Sequence, residues 1–381
     1  MRGARIPATR PHRVRPHDCW RAAAAALAFH VLYLAVLLAG SRGDATVFLC
    51  VGDGVPLPAE AGEPARFEGQ PGYDGQFTAL VALDPLDRRE TSRFLDDPGK
   101  RFARILLPGL ARLAGANDLS SAAWILAAAN ALAAAAVAAA ACALAPPGIW
   151  RVAAAIAAAV QPGLAVAVSR CTPGPLGLAL CLGAFWLRRR GRLALAGACF
   201  ALAALDQEIF ATIPVALAAE GLLRRRSSSL AWLLSLGPTA IWRLSLAVQG
   251  MPGAIPTGDL GVPLGGILDG IAGAIPPRGF LPEEIYEILH ALSFVLLALS
   301  ILRRSAAVPG ACLAALWLAA ASADRDVWVA FWSAARATAP AFALAAVRGD
   351  LPGRIAVGGA ALFSPLLPIW FALYPPQLVG P

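Results

Sequence analysis

The residues of this chain that could perform chemistry are concentrated in one polar stretch between two apolar runs. The motif GYDGQF places Tyr73, Asp74 and Gln76 almost side by side, the element ALDP adds Asp84, and Asp44 precedes both. A carboxylate here can act as a general base toward an incoming hydroxyl, or hold a divalent cation against a phosphate. Aspartate before glycine is also an ordinary turn signal, so a structural Asp74 is the alternative. We interpret Asp74 and Asp44 as candidate catalytic residues.

The stretch LDDPGKRFARILLPGLARL, which follows this motif, predicts a helix with basic residues on one side. Asp97 is a suitable N-cap, Pro98 suits the first helical position, and Pro108 predicts a kink. Arg101 and Arg104 are three residues apart and share a face. The helix is either an interfacial element whose arginines meet lipid headgroups or a clamp for a phosphate group. These two interpretations are compatible.

Ionisable residues inside or at the ends of apolar runs form a third group. They are Arg170, Asp206, Glu208, Arg243 and Arg336. Charges at membrane depth are costly and usually face a cavity or a partner. Arg336, within AFWSAARATAP, predicts either an internal ion pair with Asp206 or Glu208, or a site for an anionic lipid-linked substrate.

Composition predicts an all-α polytopic integral membrane protein. The chain of 381 residues is 58% hydrophobic with a mean hydropathy of +0.63, and several apolar runs are long enough to cross a bilayer. Backbone polar groups in lipid must be satisfied within each segment, so these runs must be helices. The net charge of +8 comes from arginines clustered between apolar runs. Membrane topology explains such clusters better than nucleic acid does, so no nucleic-acid partner is expected.

The apolar runs predict about eleven transmembrane helices in a single membrane domain, 1–381. The positive-inside rule places the N-terminus in the cytoplasm and the C-terminus outside. Two exported segments follow from this topology: 41–117, which carries the candidate active site, and 249–282. A hairpin of two short helices over 192–222 is preferred to one long helix, which breaks the charge parity. The predicted spans are 20–40, 119–144, 149–168, 174–187, 192–205, 208–222, 228–248, 283–302, 306–322, 327–347 and 354–374.

The order of GYDGQF, ALDP and LDDPGKRFARILLPGLARL resembles a family of bacterial polytopic membrane proteins of the GT-C glycosyltransferase type. SRCTPGPLGLAL, IWRLSLAVQG and SAARATAP resemble later elements of that family more weakly. The resemblance implies an enzyme that moves a sugar from a polyprenyl-phosphate carrier to a lipid, glycan or protein acceptor. It implies that Asp74 is the catalytic or metal-binding acid and that Arg101 and Arg104 bind the carrier phosphate. The chain departs from the pattern after GYDGQF, where Thr78 and Ala79 replace an aromatic pair. It departs again at 205–208, where an expected arginine is missing.

The expected function is therefore a multi-pass glycosyltransferase of the bacterial inner (cytoplasmic) membrane. Its partners would be the lipid bilayer, a lipid-linked sugar donor and an acceptor on the outer face. A lipid-linked glycan transporter or flippase, and a non-catalytic subunit of envelope-glycan assembly, are the alternatives. No metal ligands are assigned, although a divalent cation is one interpretation of the acids. The expected substrate-binding residues are Tyr73, Gln76, Asp84, Arg101, Arg104, Arg170, Glu208 and Arg336.

Overall fold

The part of the chain described by a computed structural model is predominantly helical. These residues are 15–86, 88–254, 265, 267–268, 282–302, 308–323, 331–362, 364 and 378–379. Three helical stretches among them, Pro16–Gly40, Leu119–Leu144 and Ser227–Val248, are long and apolar enough to cross a membrane. The prediction of an all-helical chain with membrane-spanning segments is confirmed at this level. The second exported segment, 249–282, lies largely outside the described residues.

The α-helices are numbered here in chain order. Within the described residues they are α1 (Pro16–Gly40), α2 (Asp74–Leu83), α3 (Arg88–Thr91), α4 (Pro98–Ala103), α5 (Leu106–Leu113), α6 (Leu119–Leu144), α7 (Arg151–Val160), α8 (Pro162–Ser169), α9 (Pro175–Arg189), α10 (Leu193–Asp206), α11 (Thr212–Leu223), α12 (Gly237–Val248), α13 (Pro282–Ile301), α14 (Gly310–Ala321), α15 (Phe331–Arg348) and α16 (Leu351–Leu362). Short 3-10 helices cover Ala45–Leu49, Ala59–Ala61, Ser92–Phe94, Glu208–Ala211 and Ser227–Leu236.

Several predicted spans match helices closely, and the deviations have local causes. Helix α6 has the predicted bounds, and two helices, α10 and α11, cover most of 192–222 with the 3-10 helix Glu208–Ala211 between them; their arrangement as a transmembrane hairpin stays a prediction. The span predicted over 149–168 is a pair of helices, α7 and α8, bent by 46°, which together are long and apolar enough to cross a membrane. Pro162 begins α8, and because proline lacks an N–H and its ring crowds the preceding turn, the helix breaks there. Helices α10 and α14 are apolar but shorter than a full crossing.

The predicted helix with a kink at Pro108 is two helices, α4 and α5, separated at Arg104 and Ile105. Asp97 caps α4 as predicted, accepting a hydrogen bond from Lys100 N at 3.1 Å. The break precedes Pro108 because a proline ring clashes with the carbonyl four residues earlier, which belongs to Arg104. Pro108 then lies in the first turn of α5, where no intrahelical N–H bond is needed.

The segment 41–117 contributes to a buried apolar core. Phe48, Leu80, Phe102 and Leu107 are each at most 2% exposed and belong to one apolar cluster with parts of α1 and α6. Strand β1 (Val51–Gly52) pairs in parallel with β2 (Arg66–Phe67), which pairs antiparallel with β3 (Leu378–Val379). Helix α2 packs on α5 and α6. The motif residues therefore lie within a packed segment, 41–117, which we call the cap.

Candidate functional site

Asp74 is the first residue of α2, so GYDGQF is a helix start instead of an exposed loop. Tyr73 is the N-cap residue, with extended backbone. Gln76 is almost fully buried. Its Oε1 accepts a hydrogen bond from Gly52 N at 3.1 Å, and its Nε2 donates to Pro71 O at 3.2 Å. The oxygen and the nitrogen of the Gln76 side-chain amide thus connect β1 with the turn before α2. Gln76 positions Asp74.

Gly75 lets the start of α2 approach two other backbone segments. A Cβ atom at this position would lie 2.0 Å from the Arg170 carbonyl oxygen and 3.0 Å from the Leu49 carbonyl oxygen. Packed backbone atoms have little room to move, so a methyl group added at this position is costly. The turn that presents Asp74 therefore depends on this glycine.

We expect Gly75→Ala to lower the free energy of unfolding by about 1–3 kcal/mol, because backbone must shift to admit the methyl group. Thermal unfolding of the detergent-purified protein measures the effect. Gly109→Ala in α5 is the matched control: nothing lies within 4 Å of its added Cβ, and alanine favours a helix. Equal unfolding midpoints for the two variants would contradict the tight approach.

Three guanidinium groups converge on the Asp74 carboxylate. Asp74 Oδ1 lies 2.8 Å from Arg101 Nη1, and Oδ2 lies 2.5 Å from Arg336 Nη2 and 3.9 Å from Arg104 Nη1. All four side chains are at most 18% exposed. We call these four residues the Asp74 cluster. The cluster joins α2, the α4–α5 region and α15, which are distant in sequence.

A second row of charges orients the cluster. Arg101 makes two hydrogen bonds to Asp96, from Nε at 2.8 Å and from Nη2 at 2.7 Å. Arg104 makes two hydrogen bonds to Glu208, from Nε at 3.0 Å and from Nη2. Arg243 Nη2 lies 3.9 Å from Glu208 Oε2. Such bidentate pairs fix the planes of the guanidinium groups. The cluster and these neighbours together contain four arginines and three carboxylates, so positive charge is in excess.

Burial alone would raise the pKa of the Asp74 carboxyl, but the guanidinium groups of Arg336, Arg101 and Arg104 outweigh burial. They hold that pKa well below its ordinary value. Asp74 is therefore ionised throughout the physiological pH range. A carboxylate so strongly stabilised is a poor proton acceptor, because basicity falls with the pKa of the conjugate acid. Asp74 becomes an effective base only when the guanidinium groups are drawn to another anion.

The cluster has an unused hydrogen-bond donor and borders a cavity. Arg336 Nη1 is buried and has no hydrogen-bond partner among the residues that the structure describes. The Arg336 guanidinium carbon lies 5.2 Å from the centre of the Tyr73 ring, and that of Arg101 lies 4.6 Å from the Phe77 ring. Tyr73, Asp74, Phe77 and Arg101 line an open cavity of about 510 Å³. A buried unpaired donor is costly, so this site favours an anionic ligand.

Tyr73 and Gln76 line the cavity and Glu208 binds Arg104, whereas three other predicted site residues lie outside the Asp74 cluster. Asp44 caps the 3-10 helix Ala45–Leu49, with Oδ1 accepting from Thr46 N and Oγ1 at 2.8 and 2.7 Å. These bonds give Asp44 a structural role, and its catalytic role stays a prediction. Asp84 follows the last residue of α2, about 15 Å along the helix from Asp74, and accepts from Leu86 N. Arg170 donates to Val47 O at 3.3 Å and supports the cap.

The partner of Arg336 differs from both residues expected of an internal ion pair. Its guanidinium binds Asp74, whereas Asp206 accepts hydrogen bonds from Gly174 N and Gly177 N at 2.9 Å and caps α9. Arg243, predicted only as a charge within or at the end of an apolar run, approaches Glu208, and Asp96 is a site residue that was not predicted from the sequence. Asp96 precedes the N-cap of α4 and faces Arg101, a relation that the doubled aspartate in LDDP could have suggested.

A divalent cation does not fit the Asp74 cluster. Among the described residues, no group of three or more His, Cys, Asp or Glu side chains is arranged to hold a metal ion. Asp74 is surrounded by guanidinium groups, whose positive charges oppose a second cation at that carboxylate. The acids of this cluster therefore bind guanidinium groups and do not suit a divalent cation.

Comparisons with models of protein families, with curated proteins and with solved structures found no match.

Proposed function

We propose that this protein is a membrane glycosyltransferase of the GT-C type that transfers a sugar from a polyprenyl-phosphate carrier to a cell-envelope acceptor. The observation that carries the proposal is the convergence of Arg101, Arg104 and Arg336 on Asp74 beside an open cavity. Guanidinium groups bind phosphate oxygens through paired hydrogen bonds. A carboxylate beside such a phosphate site is what sugar transfer to a hydroxyl requires.

The donor phosphate would compete with Asp74 for the guanidinium groups. As the arginines turn toward the phosphate oxygens, the Asp74 carboxylate loses its counter-charges and its pKa rises toward the ordinary value. The acceptor oxygen then forms a bond to the anomeric carbon while the bond to the phosphate oxygen breaks. Asp74 receives the acceptor proton, and the arginines stabilise the charge on the departing polyprenyl phosphate. Asp96 and Glu208 keep Arg101 and Arg104 oriented during the exchange.

The proposed setting is the bacterial inner membrane, with about eleven spans, a cytoplasmic N-terminus and the site on the outer face. Support for an external C-terminus comes from β3, since its pairing with β2 brings the chain end to the same side as the segment 41–117. The arginine clusters at 188–192 and 224–226 support the inside position of the opposite helix ends. The carrier lipid would then reach the cavity from the outer leaflet.

Reconstitution into vesicles with a polyprenyl-phosphate donor carrying a radiolabelled sugar tests the proposal. Envelope extract from which endogenous donor has been removed supplies the acceptor. We expect label to leave the donor, to appear in a new glycosidic bond, and to leave polyprenyl phosphate as the second product. Intact labelled donor that crosses the bilayer with no new bond would favour the transporter and contradict the enzyme. The donor without protein is the control.

Transfer is expected to be unaffected by metal chelation. The arginines supply the positive charge that a cation would otherwise provide at the leaving phosphate, and the Asp74 cluster does not accommodate a divalent ion. Rates measured with 1,2-diaminocyclohexane tetraacetate and with added Mg²⁺ or Mn²⁺ should agree within about twofold. Removal of a catalytic metal would instead cost several kcal/mol of transition-state stabilisation, which corresponds to a far larger loss of rate. Loss of transfer on chelation, restored by Mn²⁺ or Mg²⁺, would show that the arginines are not sufficient.

A further inference from the structure

A second cavity lies far from the Asp74 cluster, between α10, α11 and the 3-10 helix Ser227–Leu236. Its volume is about 680 Å³, within the range of ligand-binding pockets in proteins. We call it the α10–α11 groove. It lies along α10 from its first residue, Leu193, to Ala201, whereas Glu208 of the candidate site follows the other end of that helix. The helix is 14 residues long, so its two ends are about 20 Å apart.

The walls of the groove are apolar and its rim is basic. Leu193, Leu217 and Trp232 contribute to the walls, and Arg188, Arg224 and Arg226 lie around the opening. Only one of these three arginines has a counter-charge within the described residues. Arg224 pairs with Glu220 at 2.7 Å, whereas Arg188 and Arg226 have no acidic partner there. Two arginines without counter-charges beside a long apolar surface complement a ligand with an anionic head and hydrocarbon chains.

We infer that the α10–α11 groove binds one anionic phospholipid, with its phosphate at Arg188 and Arg226 and its acyl chains along the walls. Leu193 and Leu234, at the edge of the groove, are more than half exposed, which suits continuous contact with surrounding hydrocarbon. The arginine clusters at 188–192 and 224–226 are predicted to face the cytoplasm, where anionic lipids attract basic residues. This lipid site is independent of the proposed sugar transfer.

The groove offers a substitution that fills it without disturbing the surrounding packing. Gly197 lines the groove, and nothing lies within 4 Å of the position of an added Cβ atom. Gly197→Leu should therefore occupy the space of the acyl chains. Gly183→Leu is the matched control, because Gly183 also has open space around an added Cβ but lies on α9 outside the groove. The charge test is Arg188→Gln combined with Arg226→Gln, and its control is Arg225→Gln, an exposed arginine that does not line the groove.

The experiment is native mass spectrometry of the full chain after incubation with equimolar phosphatidylglycerol and phosphatidylcholine. We expect the wild-type protein to retain one phosphatidylglycerol in preference to phosphatidylcholine. Gly197→Leu and the double arginine variant should each retain at least ~10-fold less, while the two control variants retain it normally. Monodisperse elution and an unchanged unfolding midpoint check that each variant is folded.

The site is disproved if the wild-type protein retains neither lipid, as would happen if another segment of the chain fills the groove. Equal retention of the two lipids, or normal retention by both groove variants, would contradict it as well. If a groove variant fails to fold, titration of the wild-type protein decides: phosphatidylglycerol must raise its unfolding midpoint more than phosphatidylcholine does.

Discussion

Replacing Asp74 with asparagine is expected to reduce sugar transfer by about 100-fold or more, the usual contribution of a general base. The substitution keeps the size of the side chain but removes both the proton acceptor and the negative charge. Polyprenyl phosphate released per minute from a labelled donor in proteoliposomes measures the effect. Transfer at the wild-type rate would exclude Asp74 as the base.

The same substitution should also destabilise the protein, because it removes the counter-charge of Arg336. Arg101 keeps Asp96 and Arg104 keeps Glu208, but no other acidic partner of Arg336 lies within the described part of the chain. Leaving one charge of a buried pair unpaired costs about 3–5 kcal/mol.

A second variant separates the two effects of the Asp74 substitution. Asp74→Asn combined with Arg336→Gln removes both charges of the pair and should recover most of the lost stability. Because the general base is still missing, the double variant should remain deficient in transfer. A double variant that regains both stability and transfer would assign Asp74 to structure alone.

The local features of this fold could be predicted because their causes are local. Asp97 and Pro98 start α4 by N-capping and by a preset backbone angle, and both effects involve only neighbouring residues. The bounds of α6 follow from a long apolar run. The position of the break before Pro108 could also be predicted from the sequence, because a proline ring clashes with the carbonyl four residues earlier, here that of Arg104.

The composition of the site was less accessible, because it depends on contacts between distant segments. The spacing of Arg101 and Arg104 indicates that they share a helix face, but not that Asp74 lies between them. Asp84 lies near Asp74 in sequence, yet a ten-residue helix holds the two carboxylates apart. Arg336 is 262 positions beyond Asp74, and the packing of α15 against α6, α7 and α8 brings the two together. Composition and residue spacing do not predict such long-range packing.

Arg336→Gln is expected to weaken donor binding more than it slows the chemical step. Its Nη1 is a buried donor without a hydrogen-bond partner in the described residues, and the donor phosphate would satisfy it. A hydrogen bond between charged groups contributes about 1.5–3 kcal/mol, so KM for the donor should rise by roughly 10- to 100-fold with a smaller change in kcat.

The matched control for this substitution is Arg93→Gln. Arg93 lines the cavity that borders the Asp74 cluster, but it is 69% exposed and pairs with Glu90 at 3.0 Å, so solvent already screens its charge. Its loss should change KM by less than about threefold, in keeping with the small energies of exposed ion pairs. Because Asp74 contacts Arg101 as well as Arg336, the carboxylate keeps a partner when Arg336 is removed. Equal increases in KM for the two substitutions would mean that the donor phosphate responds only to the overall positive charge of the site. A large effect confined to Arg336 would place the phosphate at its free Nη1 group.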